Sequence, residues 1–250
     1  MNQACRVAVV VGALVGAVLA AVPARAQNLL PNPGFELGNS LFASDYSFSG
    51  GGNCCEGQYT VRNNGDTFNG AFVNPPPSSA GSELMMVCNG STLPNVRVWY
   101  ATIAVEPGRT YNLNARGCTA VAGGPAILQW QIDGVLIGSS VALPTATRVW
   151  VDVPSTWTAP AGVTSAVVAL RNLNTSTFPN DFYVDDLSMV VVCRADFDGD
   201  GFVDFFDFAA FTECFAGGPC PPGTNADFDG DGFVDFFDFD AFVAAFEAGC

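Results

Sequence analysis

The sequence predicts a mainly β protein with two parts, a β-sandwich over residues 27–192 and a small all-α domain over residues 193–250. Two observations carry this prediction. The first part consists of short apolar segments separated by turn residues, and none has a convincing helical period. The second part contains the fourteen residues ADFDGDGFVDFFDF twice, starting at Ala195 and again at Ala226. A duplication without a single change indicates two copies of one supersecondary unit.

The first 26 residues have the organisation of a secretory signal peptide. Arg6 precedes an apolar run over residues 7–22, and the Ala-Arg-Ala of residues 24–26 supplies a cleavage site of small residues. The alternative is a membrane anchor, but the run is shorter than the roughly 20 residues that a spanning helix needs. The sequence therefore predicts a secreted protein, extracellular or at the cell surface, with no membrane span in the mature chain.

The composition is strongly acidic. The formal net charge is −15, and all nine basic residues are arginines, because the chain has no lysine and no histidine. Cleavage of the signal segment would remove Arg6 and Arg25 and leave the mature chain still more negative. Such a chain is repelled by nucleic acids and by anionic membrane surfaces. We therefore expect cations and neutral molecules as partners, and no nucleic acid.

The cysteines predict disulfide bonds. Outside the signal segment they fall into two groups of four: Cys54, Cys55, Cys88 and Cys118, then Cys193, Cys214, Cys220 and Cys250. An even number of cysteines in an exported chain favours disulfides, and each group of four allows three connectivities. In the second group, Cys193–Cys250 would join the ends of the domain, and Cys214–Cys220 would close the linker between the repeats. The sequence does not choose among these pairings.

Seven segments of the first part are candidate strands: 84–88, 96–105, 110–116, 126–132, 147–153, 163–171 and 182–192. Turn signals such as Glu106-Pro107-Gly108 and Asp133-Gly134 separate them. Short strands at this spacing are typical of an all-β sandwich. The segment 38–82, which is rich in Gly, Ser and Asn and contains three consecutive prolines, is predicted to form long loops.

Each copy of the repeat has the spacing of a calcium loop. Aspartates occupy positions 1, 3, 5, 9 and 12 of a twelve-residue loop, and glycine occupies position 6. The candidate ligands are Asp196, Asp198, Asp200, Asp204 and Asp207, then Asp227, Asp229, Asp231, Asp235 and Asp238, with the position-7 carbonyls of Phe202 and Phe233. Hard oxygen donors at this spacing suit Ca²⁺ better than Mg²⁺. The alternative, a solvated acidic tail, does not explain two glycine-bearing copies in one register.

An apolar run follows each loop. Phenylalanines recur at i, i+3 and i+7 in both runs: Phe208, Phe211 and Phe215, then Phe239, Phe242 and Phe246. This spacing places each trio on one face of a helix. We therefore expect two helices that bury their phenylalanine faces against each other. Because the loop carboxylates repel one another, we also expect the unit to fold only when calcium is bound.

Two such loop–helix repeats, with Asp at position 12 and no helix before the first loop, resemble a type I dockerin domain. The resemblance covers residues 194–250. It implies two bound Ca²⁺ ions and attachment to a cohesin-like scaffold protein, often in polysaccharide degradation. In that family, the side chains at loop positions 10 and 11 help to recognise the cohesin partner. Here they are four aromatic residues, which form the candidate partner-binding surface: Phe205, Phe206, Phe236 and Phe237.

The strand order of the first part resembles the jelly-roll carbohydrate-binding modules found beside bacterial glycoside hydrolases. The segments that carry the resemblance are NLLPNPGFELG, TIAVEPGRTYNLNARG, ILQWQIDG, RVWVDVPSTWTAPAG and DFYVDDLSMVVV. It implies a polysaccharide ligand and a structural Ca²⁺ shared by an acid near the first strand and one in the last. Glu36 and Asp186 match those positions. As an alternative, Glu36 and Asp185 or Asp186 are charges at the edge of the sheet.

Sugar binding needs exposed aromatic faces with amide or carboxylate groups beside them. The aromatic candidates are Tyr59, Tyr100, Trp99 and Trp130, with Arg97, Gln129 and Gln131 as polar neighbours. Strand alternation groups Trp99 and Trp130 with apolar neighbours, so packing in the core is the alternative for both tryptophans. The same alternation turns Tyr100, Gln129 and Gln131 toward the opposite face.

The sequence offers little support for catalysis. Without histidine there is no Ser-His or Cys-His nucleophile, and without lysine there is no Schiff base. A carboxylate pair for glycoside hydrolysis stays open, because such pairs form in space rather than in sequence. Three functions are therefore considered: a non-catalytic carbohydrate-binding protein with a calcium-dependent docking domain, an exported structural or adhesive protein without sugar binding, and a small glycoside hydrolase.

Overall fold

The structure, a computed structural model, describes residues 27–52 and 55–249, so the predicted signal segment, Cys54 and Cys250 lie outside the described residues. The strands are β1 (Ser47–Phe48), β2 (Gln58–Arg62), β3 (Met85–Asn89), β4 (Arg97–Ala104), β5 (Thr110–Thr119), β6 (Ile127–Ile132), β7 (Val135–Ala142), β8 (Trp150–Asp152), β9 (Ser155–Thr158), β10 (Ser165–Asn172) and β11 (Phe182–Val191). The helices are α1 (Phe205–Phe215) and α2 (Phe236–Ala248). Neither of these described helices has the length and apolar character needed to cross a bilayer.

The strands form two sheets in a sandwich arrangement, as predicted. The larger sheet has the order β1-β2-β3-β11-β5-β8, with β9 also paired to β5, and the smaller sheet has the order β4-β10-β6-β7. The last strand, β11, lies between β3 and β5 and is antiparallel to both. The chain therefore returns to the middle of the larger sheet immediately before it enters the helical part.

The main core lies between the two sheets. The larger sheet contributes side chains such as Met86 and Phe182, and the smaller sheet contributes Trp99 and Trp130, each at most 1% exposed. The indole N–H of Trp130 donates to the carbonyl of Val153 at 2.7 Å, so this polar atom is satisfied inside the core. Burying side chains of this size contributes roughly 1.5–3 kcal/mol each, and this makes the sandwich the main source of stability.

Residues 38–82 are more ordered than the sequence predicts. They contain β1 and β2 rather than loops alone. Phe68 and Phe72 from this segment pack on the outer face of the larger sheet, where Phe72 meets Tyr183 edge-on at 6.2 Å and a second, smaller core forms. The prediction failed here because β2 is only five residues long and lies between glycine-rich stretches that mask its period.

The seven predicted strands are present, with ends that differ from the prediction by at most three residues. Two further strands, β7 and β9, were not predicted. Most side chains of β7 are exposed on both faces of the strand, so it has no apolar alternation to detect. Its place in the sheet comes from backbone pairing with β6.

The two helices pack through phenylalanines, as predicted. Phe211 and Phe242 stack face to face, with ring centroids 4.0 Å apart and 7° between the ring planes. Phe197 meets the first ring edge-on and Phe228 meets the second. These four residues are equivalent pairs in the two repeats, so the helical core has pseudo-twofold symmetry. The other predicted face residues are partly buried around it: Phe208, Phe215, Phe239 and Phe246.

Within the described residues, the disulfide prediction is confirmed in the C-terminal part. Cys214 and Cys220 form a disulfide bond. Cys193 is disulfide-bonded too, and its predicted partner Cys250 lies outside the described residues. Cys88 and Cys118, by contrast, are buried free thiols. They are not placed to pair with each other, because one belongs to the main core and the other to the smaller core on the opposite face of the larger sheet.

Candidate functional site

Each repeat folds its acidic segment into a tight loop. Gly201 and Gly232, at position 6, have φ angles of +90° and +91°, a conformation that residues with a Cβ rarely adopt. In both copies the N–H of this glycine donates at 3.0 Å to an oxygen of the position-1 aspartate, Asp196 or Asp227. Glycine therefore permits the turn that folds the loop back toward its first residue.

The aspartates at positions 9 and 12 form the start of each helix. Asp204 is the N-cap of α1, and Asp207 accepts a hydrogen bond from the Asp204 N–H at 2.8 Å. Asp235 and Asp238 form the same reciprocal capping box in α2. The other oxygen of Asp207 accepts from the N–H of Asp198 at 3.0 Å. The last aspartate thus joins the first half of the loop to the helix.

Carboxylate oxygens converge in both loops. Three aspartates in each loop place oxygens within 4.8 Å of one another: Asp196, Asp198 and Asp207 in the first, and Asp227, Asp229 and Asp231 in the second. In residues 27–52 and 55–249, no other group of three metal-ligating side chains meets this criterion. The remaining predicted carboxylate ligands lie in the same loops, outside these groups: Asp200, Asp204, Asp235 and Asp238. The two clusters are compatible with calcium loops.

The residues of the first loop fit a hard cation. Oδ1 of Asp196 is buried and has no hydrogen-bond partner. Burial, followed by the negative charge of Asp207, raises the pKa of Asp196. The ion pairs within 4.0 Å in the described part of the chain all lie in the sandwich, so no arginine neutralises a loop. A divalent cation would satisfy the orphaned oxygen and offset the repulsion between carboxylates.

The second loop has the same backbone pattern in a more exposed setting. The backbone N–H of Asp235, first among several, holds the pKa of Asp238 below its usual range. Phe233 at position 7 is 70% exposed, whereas its counterpart Phe202 is half-buried. The carbonyls of these two phenylalanines stay predicted ligands.

The phenylalanines at positions 10 and 11 project into solvent. Phe205 and Phe206 are 72% and 66% exposed, and Phe236 and Phe237 are 70% and 67% exposed. Each pair consists of adjacent rings, with centroids 6.3 Å apart in the first repeat and 6.5 Å apart in the second. Exposed apolar side chains that cluster in this way are typical of interaction surfaces.

The predicted acids of the sandwich share one loop region but have separate partners. Oε1 of Glu36 accepts from the N–H groups of Glu83 and Leu84 at 2.7 and 2.9 Å. Asp186 lies at an irregularity of β11 with φ +47°, and it accepts from the Ser79 hydroxyl at 3.0 Å. Its Oδ2 is buried without a partner. One oxygen of Asp186 is thus left for a cation, whereas Glu36 holds the backbone of the neighbouring loop.

Asp185, next to Asp186 on β11, is not the edge charge of the alternative prediction, because it is buried on a central strand. It is 1% exposed and accepts from the hydroxyls of Ser78 and Ser82 at 2.5 and 2.6 Å. Burial raises the pKa of Asp185 to about 6. Two hydroxyl donors hold this carboxyl group, so it fixes the serine-rich loop to β11.

Tyr100, Gln129 and Gln131 lie on the outer face of the smaller sheet, as alternation predicts. Ala169 on β10 stands between Tyr100 and Gln131 in register. Both glutamine amides donate to carbonyls of the β6–β7 hairpin, at 2.8 and 3.0 Å, which leaves their oxygens for a ligand. The guanidinium of Arg97 covers one face of the Tyr100 ring, with Cζ 3.5 Å from the centroid. This ring face is therefore closed to a sugar.

Trp99 and Trp130 are not available for sugar stacking, and this part of the prediction is wrong. They are 0% and 1% exposed and belong to the main core. Their strand neighbours are apolar, and the inner face of each strand points at the opposing sheet, so the alternative of core packing is correct for both.

A polar pocket of about 590 Å³ opens on the outer face of the smaller sheet. Its lining includes Asp45, Arg97, Gln131, Asp133 and Arg171. Asp45 accepts from Nε and Nη2 of Arg97 at 2.9 and 2.8 Å, and these hydrogen bonds hold the pKa of Asp45 below its usual range. Arg97 and Gln131 are among the candidates predicted from the sequence, whereas Asp45, Asp133 and Arg171 come from separate strands and loops and were not predicted.

No protein-family model matches the chain, and no curated protein matches it. Solved structures with a similar fold include the EclA C-terminal domain, described as a sugar-binding protein (18% identity, 37% of this chain and 66% of that one, TM-score 0.34). Others are the CBM22-1–CBM22-2 tandem domain of Paenibacillus barcinonensis Xyn10C (14% identity, 68% and 47%, TM-score 0.45) and the Family 16 Carbohydrate Binding Module-2 (18% identity, 65% and 99%, TM-score 0.37). The chain thus spans less than two thirds of the first two. At these values the likeness carries no argument about function.

Proposed function

We propose that this is an exported, non-catalytic glycan-binding protein whose C-terminal part is a calcium-dependent, dockerin-like attachment domain. One observation carries the proposal: each repeat gathers three aspartate oxygens within 4.8 Å in a glycine-turned loop that caps a helix. A bound cation would offset the repulsion between these carboxylates.

Calcium would be held by the aspartates at positions 1, 3, 5, 9 and 12 and by the position-7 carbonyls. The ion supplies positive charge and fixes the loop, and the chain's own capping boxes transmit that order to α1 and α2. A third, structural ion beside Glu36 and Asp186 is a separate part of the proposal. It is supported by the partnerless Oδ2 of Asp186.

The exposed phenylalanine pairs support the attachment role. Phe205 and Phe206 follow the first loop directly, and Phe236 and Phe237 follow the second, so calcium binding fixes the position of both pairs. The partner would be a cohesin-like or other scaffold protein with apolar pockets that take aromatic side chains. Because the repeats are nearly identical, the domain would offer two equivalent faces.

Glycan binding by the sandwich is supported by the polar pocket on the smaller sheet. Sugar sites combine hydroxyl-bonding groups in a concavity, and the pocket offers Gln131, Asp133 and Arg171 in a volume of about 590 Å³. We assign no catalytic role to its carboxylates. Asp45 is held by Arg97, and Asp133 accepts from the N–H of Val167 at 2.8 Å.

Calorimetric titration of the full chain with Ca²⁺ tests the attachment domain. We expect two strongly bound ions, and a third, weaker event if the Glu36–Asp186 site binds. Substituting Asp207→Asn and Asp238→Asn together should remove the two strong events. The control Asp240→Asn makes the same change on α2 outside the loops and should leave them in place. A wild-type chain that binds no calcium would overturn the attachment proposal.

Affinity electrophoresis in a panel of soluble polysaccharides tests the sandwich. Retardation by at least one glycan is expected. Migration unaffected by every glycan would favour the structural or adhesive alternative. Release of reducing sugar from the same panel would instead favour the hydrolase.

A further inference from the structure

Two arginines line the polar pocket, and they differ in whether a carboxylate pairs with them. Arg97 is fully paired: Asp45 takes its Nε and Nη2, and its guanidinium stacks on Tyr100. Arg171, on the neighbouring strand β10, has no carboxylate within 4.0 Å in the described part of the chain. Two cations thus line one pocket, and only one of them is neutralised.

Arg171 is buried, and its guanidinium makes few hydrogen bonds with the described residues. The residue is 8% exposed, its Nη2 donates to Oδ1 of Asn95 at 3.0 Å, and its Nε has no hydrogen-bond partner. A guanidinium stays protonated at any physiological pH, so its charge is not relieved by losing a proton. Burying an unpaired charge is costly, and an incoming anion would lower that cost.

Asp45 does not neutralise Arg171. Arg97 has the largest effect in lowering the pKa of Asp45, and the positive charge of Arg171 adds a smaller one. Both oxygens of Asp45 are nevertheless used by Arg97. Among the described residues, the one side chain that hydrogen-bonds Arg171 is the neutral amide of Asn95, which is exposed in the turn before β4 and has φ +65°. An exposed amide is readily displaced by a stronger acceptor.

We propose that the pocket binds the carboxylate of a uronic acid in an acidic polysaccharide, with Arg171 as its counter-ion. This inference rests on the proposed glycan-binding function and specifies its substrate class. A carboxylate matches the planar fork of a guanidinium. The sugar hydroxyls would donate to the free oxygens of Gln131 and Asp133. Those acceptors, together with the nearby Asp45, disfavour a doubly charged group such as phosphate.

The proposal differs from what the overall charge predicts. A chain of net charge −15 should avoid anions, but residues 194–250 hold 13 of its 24 acids. The pocket itself contains Arg97 and Arg171 against Asp45 and Asp133, so it is locally neutral. Long-range repulsion weakens binding of long polyanions, so short oligosaccharides are the suitable probes.

The test is calorimetric binding of uronate trimers (galacturonate, glucuronate and mannuronate) to the full calcium-loaded chain. Each trimer is compared with its fully methyl-esterified form, which keeps the shape and loses the charge. We expect the charged form of one trimer to bind roughly 10- to 100-fold more tightly than its ester.

Two variants remove the preference by different routes. Arg171→Gln deletes the cation, and Asn95→Asp supplies an internal carboxylate to Arg171 with almost no change of shape. Both should bring acid and ester to within about two-fold. Arg148→Gln, an exposed arginine outside the pocket, makes the same charge change and should keep the full preference. Because Asn95 is exposed, Asn95→Asp should keep the fold, and it tests the preference for the charged trimer even where Arg171→Gln disturbs folding.

Three outcomes separate this inference from the proposed function. A preference that both pocket variants abolish and Arg148→Gln keeps supports the inference. Equal binding of acid and ester by the wild-type chain overturns the inference and leaves glycan binding in place. Absence of binding to every uronate trimer, every ester and every neutral glycan of the panel overturns both.

Discussion

The sandwich and the C-terminal domain differ in the groups that surround their acidic side chains. In the sandwich each buried carboxyl has donors from the chain itself: the hydroxyls of Ser78 and Ser82 for Asp185, and the N–H of Gly90 for Asp181 at 3.0 Å. In the C-terminal loops the carboxylates face one another, and no cationic side chain pairs with them in the described residues. The sandwich thus supplies its own donors to Asp181 and Asp185, whereas the described part of the chain supplies no cationic side chain to the acidic loops.

The two regions also differ in how they are held together. The sandwich buries a large mixed core between two sheets, whereas the C-terminal domain depends on a small phenylalanine core centred on Phe211 and Phe242. A core of that size supplies little free energy, so domains like it need a metal or a disulfide. The C-terminal domain has both candidate supports, the calcium loops and the Cys214–Cys220 bond.

The largest predicted effect is that of chelation. EDTA should abolish most of the helical circular dichroism of the full chain and leave the tryptophan fluorescence unchanged. All four tryptophans lie in the sandwich and none in residues 193–250, so the two signals report the two regions separately. Restoring Ca²⁺ should restore the helical signal. Helical content that is the same with and without chelator would contradict the proposed metal dependence.

The next effect is that of the stacked phenylalanines. Phe242→Ala should lower the free energy of unfolding of the calcium-loaded C-terminal domain by about 3–5 kcal/mol, because the side chain is 0% exposed at the centre of the core. Phe237→Ala, five residues earlier and 67% exposed, is the matched control and should change it by less than about 0.5 kcal/mol. Denaturation followed by circular dichroism at 222 nm measures both. Equal losses in the two variants would mean that the helices do not pack as described.

The disulfide should contribute less. Cys220→Ser removes the disulfide bond between Cys214 and Cys220, which lie six positions apart. The free energy of unfolding of the C-terminal domain should fall by about 2 kcal/mol, since the constraint on the unfolded chain is lost. The same denaturation assay in saturating Ca²⁺ measures this loss. The fluorescence transition of the sandwich should not move, and a shift there would show that the two regions unfold together.

The smallest effect is the pH dependence of the sandwich. Burial raises the pKa of Asp181 to about 6, so the folded protein takes up this proton at a higher pH than the unfolded chain does. Stability should therefore rise as pH falls from 7 to 5, by about 1–2 kcal/mol. Asp181→Asn should remove this contribution and leave that of Asp185, whose pKa burial also raises to about 6. Urea denaturation followed by tryptophan fluorescence at pH 5, 6 and 7 compares the two proteins, and an equal slope in both would refute the assignment to Asp181.

The loop–helix structure of the C-terminal part was predictable because the sequence signals for it lie close together along the chain. The calcium spacing, the glycine at position 6 and the phenylalanine period all lie within 21 consecutive residues, and the structure keeps them in one loop and one helix. What the repeat did not reveal is that Phe197 and Phe228, at loop position 2, turn inward and join the core. A phenylalanine between two aspartates has no apolar period to indicate burial.

The sandwich was predictable only in part because its site is non-local. Alternation correctly grouped the inward and outward residues of β4 and β6, so it explains why Trp99 and Trp130 are core residues. It could not show that Asp45, Asn95 and Arg171, from two loops and a strand, meet in one pocket. It also missed the second small core, which depends on Phe68 and Phe72 folding back over the larger sheet.

The sequence by itself indicated the mainly β class of the fold and the two loop–helix repeats with their acidic spacing, since backbone period and loop spacing are properties of consecutive residues. Only the tertiary structure decided which groups are left without partners. It pairs Arg97 with Asp45, leaves Arg171 beside an uncharged amide, and separates Cys88 from Cys118 by a sheet. The physical reason is that pairing of charges and thiols depends on distances across strands, which the packing of the two sheets sets.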